Sequence, residues 1–126
     1  MAEPGTVGML SGKLLEEICN QLTWRIRILI VRNRDDQYTL GDLWPPVRER
    51  LEKTSAGDIV RRIATQRSLR NVTSHASPVS LNLSSVEAFN FADSILDLYK
   101  HVHCAHCRSR VRGFANPSCS CKATKL

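Results

Sequence analysis

An arginine and a histidine, Arg70 and His75, stand five positions apart in the stretch SLRNVTSHASP (residues 68–78), with Asn71 directly after the arginine. A guanidinium presents a planar fork of N–H donors that matches a phosphate, and imidazole is the side chain whose charge changes near neutral pH. Side by side, the two could hold a phosphate and move a proton next to it. Spacing alone carries little weight in a chain with 13 arginines and four histidines. A lone histidine near a helix end is more commonly a capping or surface group. Residues five apart on a regular helix point about 140° apart. Arg70 and His75 therefore converge on one phosphate only where the segment is irregular, or where a second chain supplies the other half.

The second chemical cluster is CAHCRSRVRGFANPSCSC, in which Cys104 and Cys107 form one close pair and Cys119 and Cys121 another. Two such pairs joined by a short hairpin can place four thiolates around one tetrahedral ion. Gly113 and Asn116-Pro117 supply turn chemistry between them. In a reducing compartment this grouping favours zinc over disulfides or free thiols. The second pair is tighter than the usual spacing, and His101, His103 and His106 are reserve ligands that could replace a cysteine. With all four positions filled by protein, the ion would be structural. Cys19 stands apart in an apolar helical pattern and reads as a small core residue.

Charge follows the same division. Residues 1–99 carry 12 Lys/Arg and 12 Asp/Glu, so the net charge of +6 lies wholly in the last 27 residues. These hold Lys100, Arg108, Arg110, Arg112, Lys122 and Lys125 and no acid. A folded zinc hairpin would gather Arg108, Arg110, Arg112 and Lys122 on one knob able to meet a phosphate backbone. The alternative is a solvated tail. No apolar run approaches the ~20 residues that span a bilayer. The opening MAEPGTVGML lacks the basic-then-apolar layout of a signal peptide. A cytoplasmic protein with no membrane partner is the expectation. No phosphate-binding glycine loop, Ser-His-Asp set or dinucleotide fingerprint occurs.

The elements that must position these residues are helical. Leu14, Ile18, Leu22, Ile26 and Leu29 form one apolar stripe and predict a helix over roughly residues 9–33. Thr39 and Asp42 stand in capping positions, and Pro45-Pro46 suit a first turn, which predicts a second helix over roughly 45–54 with Leu43, Val47 and Leu51 on one side. Residues 55–76 form a third segment, opened by Ser55 and Asp58, with Ile59, Ile63 and Leu69 as its apolar side. Ser84 and Glu87 form a capping box ahead of the fourth helix, whose buried side is expected at Val86, Phe89, Ala92 or Asp93, Ile95, Leu96 and Tyr99. The economical fold is all-α: an antiparallel bundle of four or five helices over residues 8–100, with a basic, four-cysteine zinc hairpin over 101–126.

The segment LRNVTSHAS resembles the Arg-x4–6-His motif of HEPN-domain ribonucleases, in which a polar residue, commonly Asn, follows the arginine. The place of the motif before the last long helix, the Thr39-Leu-Gly-Asp-Leu helix entry and the cysteine-rich tail agree with that family. The resemblance covers about residues 8–121. It is nearest to HEPN regions that lie C-terminal to, or beside, ATPases in bacterial anti-phage and toxin systems. It implies a homodimer through the helical bundle, with two motifs facing one cleft, and a metal-independent endoribonuclease. In that chemistry the ribose 2′-hydroxyl attacks its own phosphate and leaves a cyclic phosphate. His75 would act as general base or acid, Arg70 would bind the scissile phosphate, and Asn71 would hydrogen-bond the backbone or orient His75. RNA, transfer RNA among the candidates, is the implied substrate, and an ATPase protein an implied associate. The sequence departs from stronger examples at Ser74, where a glycine would flank His75. The alternative is a catalytically inactive HEPN-like module that binds nucleic acid or regulates a larger ATPase defence complex.

Overall fold

The computed structural model describes residues 3–26, 28–30, 39–74 and 82–102. Within them all regular structure is helical: α1 (Pro4–Ile26), α2 (Leu40–Glu52), α3 (Gly57–Ala64), α4 (Arg67–Ser74) and α5 (Ser85–Val102). α1 packs against α2, α4 and α5, α3 bridges α2 and α5, and α4 also meets α5.

Proline at the first helical position is pre-organised for a helix and gives up no bond, and α1 accordingly starts at Pro4, five residues ahead of the expected start. It stops at Ile26. There the Ile28 N–H reaches back to the Thr23 carbonyl (3.2 Å), and the Thr23 hydroxyl donates to the Cys19 carbonyl (2.7 Å). Competition of this kind weakens the ladder at its end. Leu29 therefore falls outside the helix and is 89% exposed, so the apolar stripe does not continue through it. The buried side of α1 is Leu15, Ile18, Cys19 and Leu22. Burial raises the Cys19 thiol well above its ordinary pKa, and the charge of Glu16 adds to the effect. Cys19 is the core residue that its setting suggests.

α2 starts at Leu40, ahead of the expected position, because the Thr39 N–H donates to the Asp42 carboxylate (3.0 Å) and anchors the first turn there. Pro45 and Pro46 consequently lie inside the helix, one turn beyond its start. Leu43, Val47 and Leu51 are fully buried as expected, and Trp44 joins them in the core.

The third segment is divided into two helices. The Thr65 hydroxyl donates to the Arg62 carbonyl (2.9 Å), and Gln66 leaves the ladder before α4 begins. Ser55 does not open α3. The neighbouring Thr54 hydroxyl accepts the Ala56 N–H (3.1 Å), and α3 begins at Gly57. A Cβ at Gly57 would stand 2.6 Å from the Glu52 carbonyl oxygen, so this close approach of backbone needs glycine.

The Ser84–Glu87 capping box is present in both directions at 3.1 Å. The buried side of α5, however, is Ala88, Phe91, Ser94, Ile95, Leu98 and Val102. Of the residues expected there, Ile95 is buried, whereas Val86, Phe89, Leu96 and Tyr99 are exposed. The helix carries two apolar stripes of the same period, and the one that meets α1 is the stripe through Phe91. Phe91→Ala is expected to lower stability by about 3–5 kcal/mol and Phe89→Ala by less than about 1 kcal/mol, as measured by chemical denaturation.

Candidate functional site

α4 carries Arg70 and Asn71, and three neighbours hold it in place. Ser68 and Leu69 are buried, and the Ser68 hydroxyl donates to the Glu87 carbonyl (3.2 Å). Val72 rests on α1 where a Cβ added to Gly12 would come within 3.2 Å of it, so glycine lets the two helices approach closely. Arg67 grips the Glu87 carboxylate with both arms of its fork, Nε to Oε2 and Nη2 to Oε1, each at 2.7 Å, and also donates to the Asn82 carbonyl. Bidentate pairing of this kind fixes geometry as well as supplying energy.

The arginines of α3 and α4 divide cleanly. Arg61 is paired with Asp58, Arg62 with Asp97 and Arg67 with Glu87. Arg70 is exposed and makes no ion pair with a described residue. The Thr73 hydroxyl donates to the Arg70 carbonyl (2.9 Å) and closes the helix end beside it. Asn71 is half-buried. His75 lies outside the described residues, so its distance from Arg70 is not part of this geometry.

A second polar assembly joins α3 and the α3–α4 link to α5. The Ser94 hydroxyl donates to the Asn90 carbonyl and accepts from Arg62 Nε (3.2 Å) and Gln66 Nε2 (2.9 Å). These residues, with Asp93 and Asp97, line an open groove of about 310 Å³. Gln66 Oε1 is sheltered there without a hydrogen-bond partner. The cross-links of Arg67 to Glu87 and Arg62 to Asp97 span more than one helix and left no periodic signature in the sequence. Glu87 was visible only as a capping residue.

The cysteine cluster (Cys104, Cys107, Cys119, Cys121) and the basic residues Arg108, Arg110, Arg112 and Lys122 lie outside the described residues. So do His103 and His106. Among the described residues no group of three or more His, Cys, Asp or Glu side chains could hold a metal ion. His101, in the last turn of α5, has its Nε2 2.9 Å from the Ser55 hydroxyl and so ties that helix end to the α2–α3 link. No described helix is long and apolar enough to cross a membrane. A scan against protein-family models finds no match, and searches of the curated proteins and of the solved structures likewise find none.

Hydrogen bonds from Arg67, and then from the Ser84 N–H, lower the Glu87 carboxyl to about 2. A depressed carboxyl contributes stability above its unfolded value near 4.5, and that contribution is lost as pH falls through the folded value. The hold on α4 is thus expected to be complete above about pH 4.5 and to weaken progressively towards pH 2. Stability measured across that window should fall for the natural chain, and Glu87→Gln should remove this part of the pH dependence.

Proposed function

We propose that this chain is a metal-independent endoribonuclease of the HEPN type, built as a helical bundle, with Arg70 and His75 at its reacting centre. The observation that supports this reading is the state of Arg70. Three arginines on the same pair of helices are committed to carboxylates, while Arg70 stands exposed and unpaired among the described residues on a helix pinned by its neighbours. An exposed guanidinium with no ion-pair partner among the described residues is available to an external anion, and a planar fork suits a phosphodiester.

In this reading the ribose 2′-hydroxyl loses its proton to an imidazole, and the 2′-oxygen forms a bond to phosphorus. The bond to the 5′-oxygen breaks, and that oxygen leaves with a proton. The products are a 2′,3′-cyclic phosphate and a 5′-hydroxyl. His75 moves the proton, since imidazole titrates near the working pH. Arg70 holds the phosphate and the charge that grows on it. Asn71 hydrogen-bonds the backbone or orients His75. Two copies of the chain bring two such motifs to one cleft.

The tail completes the reading. Cys104, Cys107, Cys119 and Cys121 offer four soft thiolates, a donor set suited to zinc, and the ion would fold a segment with little core of its own. Arg108, Arg110, Arg112 and Lys122 would then form a basic surface for the RNA backbone. Serine at Cys104 and Cys107 together should remove about one zinc per chain by metal analysis, with the far-ultraviolet helical signal of α1–α5 retained.

Cleavage of RNA in EDTA tests the central claim. The natural chain should cut and leave cyclic-phosphate ends. Arg70→Ala and His75→Ala should each lower the rate by about a hundredfold or more while leaving the fold intact. An uncut RNA with well-folded natural protein would refute the assignment and leave a binding or regulatory module.

A further inference from the structure

The groove between α3, the α3–α4 link and α5 is lined by six polar side chains: Arg62, Gln66, Asn90, Asp93, Ser94 and Asp97. Its volume of about 310 Å³ lies at the small end of the range of about 300–1,000 Å³ that ligand pockets occupy, room for a flat ring system and little more. Its side chains differ in what they still have to offer. Arg62 is committed to Ser94 and Asp97, and Gln66 Nε2 to Ser94. Gln66 Oε1 is sheltered and accepts no hydrogen bond. Asn90 and Asp93, three residues apart on one side of α5, are exposed, and Asp93 makes no ion pair with a described residue. The groove thus sets two carboxylates against one guanidinium. That balance opposes a phosphate and favours a group that donates hydrogen bonds.

Arg70 adds a second condition. Gln66 directly precedes α4, and Arg70 follows it by four residues, one helical turn. Side chains at that spacing share one side of a helix, with Cβ atoms about 5–6 Å apart. A phosphate held by Arg70 would therefore stand beside the Gln66 end of the groove. A nucleotide carries its base and its phosphate on one sugar, which spans a gap of that kind.

We propose that this groove receives the base of the nucleotide whose phosphate Arg70 holds, and that the base is guanine. The inference rests on the functional reading above, which puts an RNA phosphate on Arg70. Hydrogen-bonding pattern selects the base. Along its pairing edge guanine presents two N–H donors side by side, on N1 and on the 2-amino group, with the O6 carbonyl next to them. Two parallel donors match the two oxygens of a carboxylate, as the fork of a guanidinium does. Asp93 takes that role, and the Asn90 amide donates to O6. The other bases fail against Asp93. Adenine and cytosine each offer one amino group beside a ring nitrogen that only accepts, and uracil offers one N–H between two carbonyls. Each would turn a lone pair towards a carboxylate oxygen, and an acceptor left without a donor is costly.

Calorimetric titration of the full-length chain with the four nucleoside 3′-monophosphates tests the groove without any cleavage. Guanosine 3′-monophosphate should bind about tenfold or more tighter than the other three, the discrimination that one bidentate base contact supplies. Inosine 3′-monophosphate, which lacks the 2-amino group, should lose much of that preference. Asp93→Asn should abolish it, and because Asp93 is exposed the helical signal should not change. Arg70→Ala should weaken all four nucleotides alike and keep their ratio. Equal binding of the four, no binding of any, a guanine preference that survives Asp93→Asn, or an Arg70→Ala chain that binds as the natural one does would each overturn the proposal. So would argininamide binding more tightly than guanosine 3′-monophosphate, which would assign the groove to a basic peptide. Cleavage is scored separately. A chain that selects guanine in this way but cuts no RNA keeps the groove and refutes the ribonuclease. A chain that cuts RNA without regard to base does the reverse.

Discussion

The Glu87 carboxylate both starts α5 and holds α4 against it. Its Oε1 accepts the Ser84 N–H at the helix start and one arm of Arg67, while Oε2 accepts the other arm. The Glu87 backbone carbonyl takes the Ser68 hydroxyl. α4 is eight residues long, too short to be stable as a helix by itself. Its position rests on this hub and on the close contact of Val72 with Gly12 of α1. Arg70 rides on that helix. Where its backbone stands is therefore set in part by a residue 17 positions away in the chain.

The rest of the described structure supports that hub. Phe91, Ile95, Leu98 and Val102 of α5 meet Leu15, Ile18, Cys19 and Leu22 of α1 in one core with Leu43, Val47 and Leu51 of α2. Seventeen buried apolar residues drawn from all five helices and the α2–α3 link make that core, and its burial is the main source of stability. The polar assembly of Arg62, Gln66 and Ser94 then ties α3 and the α3–α4 link to α5. Exposed ion pairs contribute little energy on their own. Their effect here is to commit three carboxylates, which leaves Arg70 as the arginine of these two helices without an ion pair among the described residues.

Several parts of this arrangement were legible in the residues. Thr39 with Asp42 and Ser84 with Glu87 mark two helix starts, because a capping box is local: donor and acceptor lie within one turn. The stripe of Leu43, Val47 and Leu51 reads directly as the buried side of α2, since that helix has one apolar face. Cys19 reads as core for the same reason. The ends of α1 and the break before α4 were not legible. The break and the C-terminal end of α1 turn on threonine hydroxyls at Thr65 and Thr23 that take over backbone carbonyls, and a hydroxyl can equally point to solvent.

By itself the sequence determined that the described residues are helical, where two of the helices start, and which side chain types are on hand for chemistry: a guanidinium and an imidazole near each other in the chain, and four clustered thiols. These are matters of composition and of contacts within one helical turn. The tertiary structure alone decided which of two equivalent stripes of α5 is core. Helical period cannot separate Phe89 from Phe91, because both lie on stripes with the same spacing, and the choice is made by what α1 presents to them. It also decided which arginine of α3 and α4 is left without an ion pair among the described residues. Arg61, Arg62, Arg67 and Arg70 are alike as residues, and only the three-dimensional placement of Asp58, Asp97 and Glu87 distinguishes the fourth from the other three.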